Sequence, residues 1–385
     1  MSELNYLEKL LDGTEVEWKA LGDVTSVLRG KRLTKNLLSA EEKFPVFHGG
    51  LEPLGYYNKS NRPANTVMII NVGASAGTVG YSTVDFWSSD GCFCLEHNEL
   101  LNNRFLYFAL IGYQSLLKSK VRVAGIPTLD AIVVNKLLIP IPCPENPEKS
   151  LAIQSKIVRI LDRFSALTAE LTAELTAELN MRKKQYNYYR DQLLRFKEGE
   201  VEGKRKTLGE IMKMRAGQHI SAHNIIERKE ESYIYPCFGG NGIRGYVKEK
   251  SHDGEHLLIG RQGALCGNVQ RMKGQFYATE HAVVVSVMPG INIDWAFHML
   301  TAMNLNQYAS KSAQPGLAVG KLQELKLFVP SIERQIYIAA ILDKFDTLTN
   351  SITEGLPREI ELRQKQYEYY RDLLFSFPKP ETVSN

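Results

Sequence analysis

A long stretch in the middle of the chain carries apolar residues at alternating intervals of four and three positions. These residues are Ile153, Ile157, Ile160, Phe164, Leu167 and Leu171. Such spacing is typical of the seam of a coiled-coil helix. The letters NPEKS before the stretch are a helix start, and KEGE after it is a stop at Gly199. We therefore predict a helix from Ser150 to Lys197, on the order of 70 Å long at ~1.5 Å per residue.

This helix contains a tetrad, Thr-Ala-Glu-Leu, which is repeated within ALTAELTAELTAEL at 166–179. Leucines that are always four residues apart add one residue to the heptad pattern, which predicts a local change of supercoiling without a break. Ala and Glu on the other faces favour the helix. The predicted spacer leucines of this copy are Leu167, Leu171, Leu175 and Leu179.

The sequence of this helix returns near the end of the chain. ILDRF at 160–164 becomes ILDKF at 341–345, and QYNYYRDQLL at 185–194 becomes QYEYYRDLLF at 366–375, both at a shift of 181. Pro357, with Gly355 beside it, is expected to kink or interrupt the second copy. The spacer residues of that copy are Leu348, Ile352, Leu356 and Ile360.

Two blocks lie before the two helices, and we call 20–147 block one and 204–331 block two. The runs NTVMIINVG and HAVVVSVMPG predict strands, whereas NNRFLYFALIGYQSLLKS and DWAFHMLTAMNLNQYASKS have helical spacing. GASAGTV at 73–79 corresponds to GALCGNV at 263–269, at a shift of 190. The blocks therefore share a mixed α/β frame but few of the residues within it.

The N-terminus contains a third, partial copy of the repeated sequence. YLEKLLDGTEVEWKALGDV at 6–24 resembles 189–211, so 1–19 is expected to complete the region of the C-terminal helix. Segments 148–203 and 332–385 would hold the central and C-terminal helices. The predicted fold is α/β (α+β), with two globular domains separated by two long antiparallel helices that form a coiled coil. The whole is a pseudo-two-fold, circularly permuted repeat.

Composition is that of an ordinary folded protein, with 44% apolar and 23% charged residues. Five cysteines, an odd number, argue against a disulfide framework, and no apolar run approaches a membrane span of ~18 residues. We expect a cytoplasmic protein. The net charge is only +4, but block two carries +6 and block one +2. This excess supports nucleic-acid binding only weakly.

Motifs of catalysis are weak or missing. FGGNGIRG at 238–245 matches a dinucleotide-binding pattern, but no helical sequence follows it, so we interpret it as a Gly-rich turn. Glu17-x-Lys19 is interpreted as a solvated charge pattern, and the spaced histidines, such as His219 and His223, lack a third metal ligand. The sequence therefore predicts a chain without a catalytic or metal site.

The tetrads, the ILDRF/ILDKF and QYxYYRD pairs, and two unlike blocks between matched helices resemble one family over essentially the full chain. It is the specificity subunit of type I restriction–modification systems. The resemblance implies that each block is a target recognition domain for one half of a split DNA sequence. It also implies that the helices space the domains and dock two modification (methyltransferase) subunits, which bind S-adenosylmethionine. Restriction subunits can join them.

The residues alone leave one alternative, a non-catalytic coiled-coil scaffold whose blocks bind protein or another ligand. DNA reading needs polar and basic side chains in loops. Tyrosines in the QYxYYRD motif, Tyr186, Tyr189, Tyr367 and Tyr370, are expected to pack on the coil or a partner. The candidate DNA-binding residues are Arg29, Lys31, Arg32, Lys35, Asn58, Lys59, Arg62, Lys118, Lys120 and Arg122 in block one, and Arg215, Gln218, His219, Arg244, Lys248, Lys250, Arg261 and Gln262 in block two.

Overall fold

The structure is a computed structural model of the 385-residue chain. It describes residues 4–196, 202–240, 242–263, 265–310, 315–351 and 353–378, with side chains from residue 7 onward. The chain divides into two compact units. The first unit comprises Met1–Ala173 and Glu361–Asn385, and the second comprises Glu174–Ile360. Each unit therefore contains one block and parts of the helices.

Most helices of the described residues are short and belong to the blocks. None of the described helices is long and apolar enough to cross a membrane. In chain order they are α1 (Leu4–Leu11), α2 (Leu21–Val24), α3 (Asn103–Gly112), α4 (Gln114–Ser119), α5 (Ala131–Asn135), α6 (Pro147–Leu194), α7 (Leu208–Ile211), α8 (Ile293–Ala302), α9 (Val319–Gln323), α10 (Ile332–Asn350) and α11 (Leu356–Leu374).

Block one is built from three small sheets. Its strands are β1 (Val16–Ala20), β2 (Val27–Arg29), β3 (Phe44–Phe47), β4 (Gly55–Tyr57), β5 (Thr66–Ile70), β6 (Val79–Ser82), β7 (Trp87–Ser88), β8 (Cys92–Leu95) and β9 (Leu138–Pro142). The sheet orders are β2-β8-β5-β6, β4-β3-β7 and β1-β9. Strand β5 is buried at all five positions, as its continuous apolar run predicts. It packs with α3 in the core of the block.

Block two repeats this topology. Its strands are β10 (Gly203–Thr207), β11 (Met212–Ala216), β12 (Tyr235–Gly239), β13 (Gly242–Val247), β14 (Glu255–Gly260), β15 (Val269–Lys273), β16 (Tyr277–Ala278), β17 (Ala282–Val287) and β18 (Lys326–Pro330). The orders β11-β17-β14-β15, β13-β12-β16 and β10-β18 match those of block one strand for strand. The shared frame predicted from loosely matching residues is thus confirmed. Trp295 is the largest fully buried side chain of the core of this block.

The motif FGGNGIRG forms a β-hairpin. Strands β12 and β13 pair antiparallel across it, with Gly239 opposite Gly242. Gly242 has φ +101°, a conformation that favours glycine. Because a strand follows the glycines, no helix N-terminus is present to cradle a phosphate. The interpretation as a Gly-rich turn is confirmed.

Helix α6 is continuous through all three tetrads, from Pro147 to Leu194. Pro147 is its first residue, a position where the missing N–H costs nothing. Asn146 caps it, since its Oδ1 accepts from the Lys149 N–H at 3.0 Å. The predicted start is therefore three residues late. The predicted end at Lys197 is wrong as well, because the helix ends at Leu194 and residues 195–196 are not helical; the stop signal at Gly199 lies outside the described residues.

The predicted seam is wrong at Leu167. The buried positions are Ile153, Ile157 and Leu161, whereas Leu167 is 51% exposed. A straight α-helix drifts by about 20° per heptad, so after two heptads Leu167 has turned away from the face that Ile153 buries. The other tetrad leucines are half-buried, namely Leu171, Leu175 and Leu179.

The second copy is interrupted, as Pro357 predicts. Helix α10 ends at Asn350 and α11 begins at Leu356, so Pro357 lies in a first turn, where it is tolerated. Gly355 has φ +84°, and a Cβ there would lie 2.5 Å from the Thr347 carbonyl oxygen. Only glycine fits that turn. Spacer residue Ile352 lies outside the described residues, and the others are half-buried: Leu348, Leu356 and Ile360.

In the first unit the N-terminal helix packs on the C-terminal one. Leu7 and Leu11 share a buried cluster with Leu374 and Phe377. The QYxYYRD tyrosines pack on the helices, as expected. In the first unit Tyr370 stacks on Phe164 at 5.3 Å and Tyr367 accepts a hydrogen bond from Ser165; in the second unit Tyr186 and Tyr189 pack on Phe345. The segment boundaries drawn from the sequence stay predictions.

Candidate nucleic-acid interface

A groove in block one opens where β2 ends and the chain leaves its sheet. We call it the block-one groove; its volume is about 470 Å³. Three predicted DNA-binding cations, Arg29, Arg32 and Lys35, line it, and all three are exposed. The other lining residues are Leu33, Thr34, His48, Leu54, Val72, Ser89, Asp90 and Gly91. The structure thus gathers one of the three basic stretches around a single cavity.

Glycine allows the chain to turn at the rim of this groove. A Cβ on Gly30 would lie 2.1 Å from the Ser89 carbonyl oxygen, so no larger residue fits. The next residue, Lys31, is held on both sides of its backbone. Its N–H donates to the Ser88 carbonyl at 2.9 Å, and its carbonyl accepts from Trp87 Nε1 at 2.8 Å. A fixed backbone here positions the exposed Lys31 side chain.

The groove also contains polar groups that the pattern of cations in the sequence does not reveal. Asp90 Oδ1 lies 3.4 Å from His48 Nδ1, and the Asp90 carbonyl accepts from Arg29 Nε at 3.1 Å. Nδ1 of His48 and Oδ1 of nearby Asn71 are buried, yet neither forms a hydrogen bond within the described part of the chain. Buried polar atoms are seldom left in that condition. The wall of the groove therefore contains polar atoms whose hydrogen-bonding capacity no other described residue uses.

The second basic stretch reaches the groove through Arg62. Its Nη2 donates to the Arg29 carbonyl at 3.4 Å, and its Nη1 donates to the Asn61 carbonyl at 2.9 Å. Because Arg62 is half-buried, it braces the backbone at the rim instead of presenting its guanidinium. The neighbours Asn58 and Lys59 are exposed.

The third stretch does not line the groove but is connected to its wall through backbone bridges. Two of its cations, at the end of α4, are exposed: Lys118 and Lys120. The backbone of Arg122 pairs with Thr128, which also bridges Val72 on the groove wall. The Arg122 side chain is engaged by Asp130 at 3.1 Å. Because 68% of the Arg122 side chain is exposed despite this pair, all three cations of the stretch are accessible.

In block two, five polar side chains form a connected cluster, which we call the block-two cluster. His219 Nδ1 lies 2.9 Å from Glu280 Oε1, and His281 Nδ1 lies 2.6 Å from Gln262 Oε1. Arg261 Nη1 donates to the Glu280 carbonyl at 3.4 Å. Three of the five were predicted from the sequence, whereas Glu280 and His281 were not.

The cluster occupies the position of the block-one groove. Tyr277 OH donates to the His219 carbonyl at 3.2 Å, just as Trp87 donates to the Lys31 carbonyl in block one. In each block a carboxylate follows that aromatic residue by three positions. These carboxylates are Asp90 and Glu280. Both blocks therefore place a carboxylate at the same turn, surrounded by different neighbours.

Glu280 is held in its ionised form, which is a strong hydrogen-bond acceptor. Burial acts to raise its pKa, but the hydrogen bond with His219 and the nearby charge of His281 outweigh burial, and the pKa is lowered. Its Oε2 is buried and has no hydrogen-bond partner among the described residues. Carboxylates accept hydrogen bonds from exocyclic base amines such as cytosine N4. Glu280 is thus one more hydrogen-bond acceptor of the block-two cluster, beside Gln262 Oε1.

The remaining candidates of block two lie around this cluster. Lys248 Nζ lies 5.0 Å above the Tyr233 ring, and with Tyr277 it lines a cavity of about 350 Å³. Lys250 is held by Asp253 at 2.8 Å and is less available. The others are exposed: Arg215, Gln218 and Arg244. The assignment of individual residues to DNA stays a prediction.

Groups of three or more His, Cys, Asp or Glu residues that could hold a metal do not occur in the described ranges. What the two sites offer is a set of cations, amides, imidazoles and one carboxylate each. This mixture suits hydrogen bonding to base edges and phosphates.

Comparison with known proteins gives the family. The model of the type I restriction modification DNA specificity domain matches residues 14–181 and again 200–362. The EcoprrI type I specificity subunit of Escherichia coli is 66% identical over 375 residues, covering 92% of this chain and 93% of that protein. The EcoR124I/EcoR124II specificity subunit of the same species is 42% identical, and the match covers 100% of both chains.

Solved structures agree on the fold. The type I S subunit from M. genitalium has a TM-score of 0.55 at 19% identity, covering 96% of this chain and 98% of that one. A chain from a study of complex assembly and conformational transition in a type I system has a TM-score of 0.60 at 15% identity, covering 94% and 97%. Two matches to one domain model, in two blocks of one topology, give two target recognition domains. The chain belongs to the type I restriction–modification DNA specificity family.

Proposed function

We propose that this chain reads a DNA target of two unlike halves, one half through the block-one groove and the other through the block-two cluster. The observation that carries this proposal is the equivalence of the two sites. The same turn holds Asp90 in one and Glu280 in the other, while the neighbouring side chains differ. One frame with two sets of donors and acceptors is suited to two different base sequences.

In this proposal the chain performs no chemistry itself. Methylation, and cleavage where a restriction subunit is present, belong to partners, and S-adenosylmethionine binds to the methyltransferase. Two methyltransferase subunits join one specificity chain. The scaffold alternative, with blocks that bind protein or another ligand, lacks a specific observation in its favour.

A repeated surface supports two equal partners. Four exposed side chains on α6 recur on α11 at the shift of 181 with the same chemistry: Met181 and Leu362, Lys184 and Lys365, Tyr188 and Tyr369, Asp191 and Asp372. Spacings of three, four and three place each set on one helix face. Tyr188 is 62% exposed and Tyr369 is 51% exposed, and each contacts the tyrosine that follows it edge-on, so the two copies present the same aromatic surface. We assign one methyltransferase to each face.

The test of DNA reading exchanges one block. Co-expression with the methyltransferase, followed by mapping of methylated bases in the host genome, gives the target. Replacing 204–331 with the equivalent block of a relative should change one half-site, and replacing 20–147 should change the other. A change of both halves by either exchange would contradict the two-site proposal.

The test of the partners is the mass of the purified complex. We expect one specificity chain with two methyltransferases, and a one-to-one complex would contradict this. Tyr188→Ala and Tyr369→Ala should each weaken the binding of one methyltransferase. Lys183→Ala is the matched control, because Lys183 is exposed on the same helix but is not three or four residues from any member of the repeated face; it should leave the mass unchanged.

A further inference from the structure

In the first unit, an arginine of block one is held against the long helix. Arg104, on α3, donates from Nε to Oδ1 of Asp162 on α6 at 2.8 Å. Its guanidinium carbon lies 4.8 Å from the ring centres of Tyr81 and Tyr107 and 4.9 Å from that of Phe108. The charge is thus enclosed by three rings and one carboxylate, and only 30% of the side chain is exposed.

In the second unit, an arginine of block two makes the same contact. Arg271, on β15, pairs with Asp343 on α10, and its guanidinium carbon lies 4.1 Å from the centre of the Phe297 ring. His298 is fully buried beside them, with Nε2 2.8 Å from Asp343 Oδ1 and Nδ1 3.3 Å from Tyr186 OH. Nη2 of Arg271 also lies 3.1 Å from Nε2 of His298, so the arginine, the histidine and the aspartate form one connected group.

The two aspartates occupy the same position of the helix repeat. Asp162 is the acidic residue of ILDRF, and Asp343 is that of ILDKF, 181 residues later. The aromatic residues under the two guanidiniums also correspond, since Tyr107 and Phe297 are each five residues after an asparagine that caps its helix. These caps are Asn102 and Asn292.

The two arginines do not correspond. At the block shift of 190, the counterpart of Arg104 is Asp294 and the counterpart of Arg271 is Tyr81. Arg271 also lies 3.5 Å from Asp294, and Arg104 lies over Tyr81, so the two positions form a pair in each block. The arginine therefore comes from a different position of the block in each copy. The aromatic ring and the aspartate that it contacts come from equivalent positions. Common descent of the two copies cannot by itself place two arginines from different positions on equivalent carboxylates.

We propose that this arginine–aspartate contact is a positioning pair that sets the orientation of each recognition domain on its helix, and so the gap at which the two domains meet DNA. The inference rests on the proposed two-site reading. An exposed ion pair has little influence on orientation, but here three rings or a buried histidine restrict the guanidinium to one geometry. Neither arginine lies in the block-one groove or the block-two cluster. The pair therefore acts on spacing and leaves base preference unchanged.

The experiment measures gap selectivity with the assembled methyltransferase complex. Its DNA duplexes contain the native half-sites separated by the native gap, or by a gap one base pair shorter or longer. Asp162→Asn and Asp343→Asn should each lower the ratio of affinities for native and altered gaps by about tenfold, which corresponds to ~1.4 kcal/mol of orientation free energy. The preferred bases in both half-sites should stay the same.

The matched control is Lys344→Gln, which removes an exposed charge from the neighbouring position of the ILDKF motif and should leave the ratio unchanged. A rescue separates positioning from general destabilisation. Arg104→Asp in block one should reduce gap selectivity, and adding Tyr81→Arg, which copies the arrangement of block two, should restore it.

Unchanged gap selectivity in both asparagine variants would overturn the proposal, as would failure of the double variant to regain selectivity while it assembles normally. A shift in the preferred bases would also overturn it. Absence of any specific binding by the wild-type complex would instead contradict the proposed function itself. Thermal unfolding of each variant identifies any that do not fold, and the rescue pair then decides.

Discussion

Deleting one tetrad from α6 should shorten the gap between the two half-sites and leave both half-sites intact. The deletion removes Thr172–Leu175, which lie within the uninterrupted helix Pro147–Leu194. At ~1.5 Å per residue, four residues shorten a helix by ~6 Å. Duplex DNA rises ~3.4 Å for each base pair, so a helix shortened by ~6 Å corresponds to nearly two base pairs.

The rotation argues for a smaller change. Four residues at ~3.6 per turn rotate a helix by ~400°, which is ~40° more than a full turn. One base pair turns B-DNA by ~34°, given ~10.5 base pairs per turn. The rotation therefore matches one base pair, whereas the translation matches two. The interruption between Asn350 and Leu356 in the second helix can absorb the remaining translation. We expect the gap to shorten by one base pair.

Mapping of methylated bases in a host that expresses the deletion variant with its methyltransferase measures the gap directly. The matched control deletes Thr172 and Ala173 only. Two residues turn the helix by ~200°, so Leu175 and Leu179 would point away from their present partners, and the complex should lose stability. If the tetrad deletion still methylates DNA at the original gap, the tetrads do not set the spacing.

Three further predictions concern the two sites. Replacing the cations of the first stretch together by Ala should weaken binding to all sequences and reduce the slope of log K against log salt by roughly 0.9 for each phosphate that is no longer neutralised; these are Lys31, Arg32 and Lys35, and an unchanged slope would mean that they face away from DNA. Gly30→Ala should destabilise block one by about 1–3 kcal/mol in denaturant unfolding, because its Cβ meets a carbonyl oxygen; a smaller effect would mean that the turn can move. Glu280→Gln should change the preferred bases of one half-site in a methylation map. It should also reduce the acid sensitivity of block two, since a carboxyl with a lowered pKa stabilises the fold above its unfolded pKa and loses this contribution as pH falls through the folded value; identical maps and pH curves would contradict its role.

The large elements of the fold could be predicted from the sequence because each rests on a local pattern. Periodic apolar residues gave α6, and continuous apolar runs gave the central strands β5 and β17. The internal repeat also predicted that the two blocks share one topology, although few of their residues match. Pro357 correctly predicted the interruption of the second helix. The error at Leu167 arose because a heptad assumes a supercoil, whereas a straight helix turns its later positions away from the first seam.

The site was harder to predict. The pattern of cations and polar residues pointed to Arg29 and His219 but not to Asp90, Glu280 and His48, since acidic residues and single histidines have no spacing that distinguishes them. Their role depends on turns that bring 29–35, 48 and 89–91 into one groove. The arginine–aspartate pairs were equally hidden, because each joins residues that are 58 or 72 positions apart. Such contacts are tertiary, and no local pattern encodes them.

The duplicated chain separates two kinds of constraint that a single domain would confound. Side chains in the block-one groove and the block-two cluster have diverged, as they must if the two half-sites differ. The exposed Tyr188 and Tyr369 have stayed the same, as they must if the partners are identical. Between these extremes, the contact made by Arg104 and Arg271 is kept while its backbone position changes. This pattern is expected of a contact between a variable recognition block and a constant helix. The contact must still form when the block is replaced by one of different sequence. If the pair has the positioning role proposed above, a new recognition block needs an arginine at one of these two positions, and a block that lacks both should read its bases correctly but at the wrong distance from its neighbour.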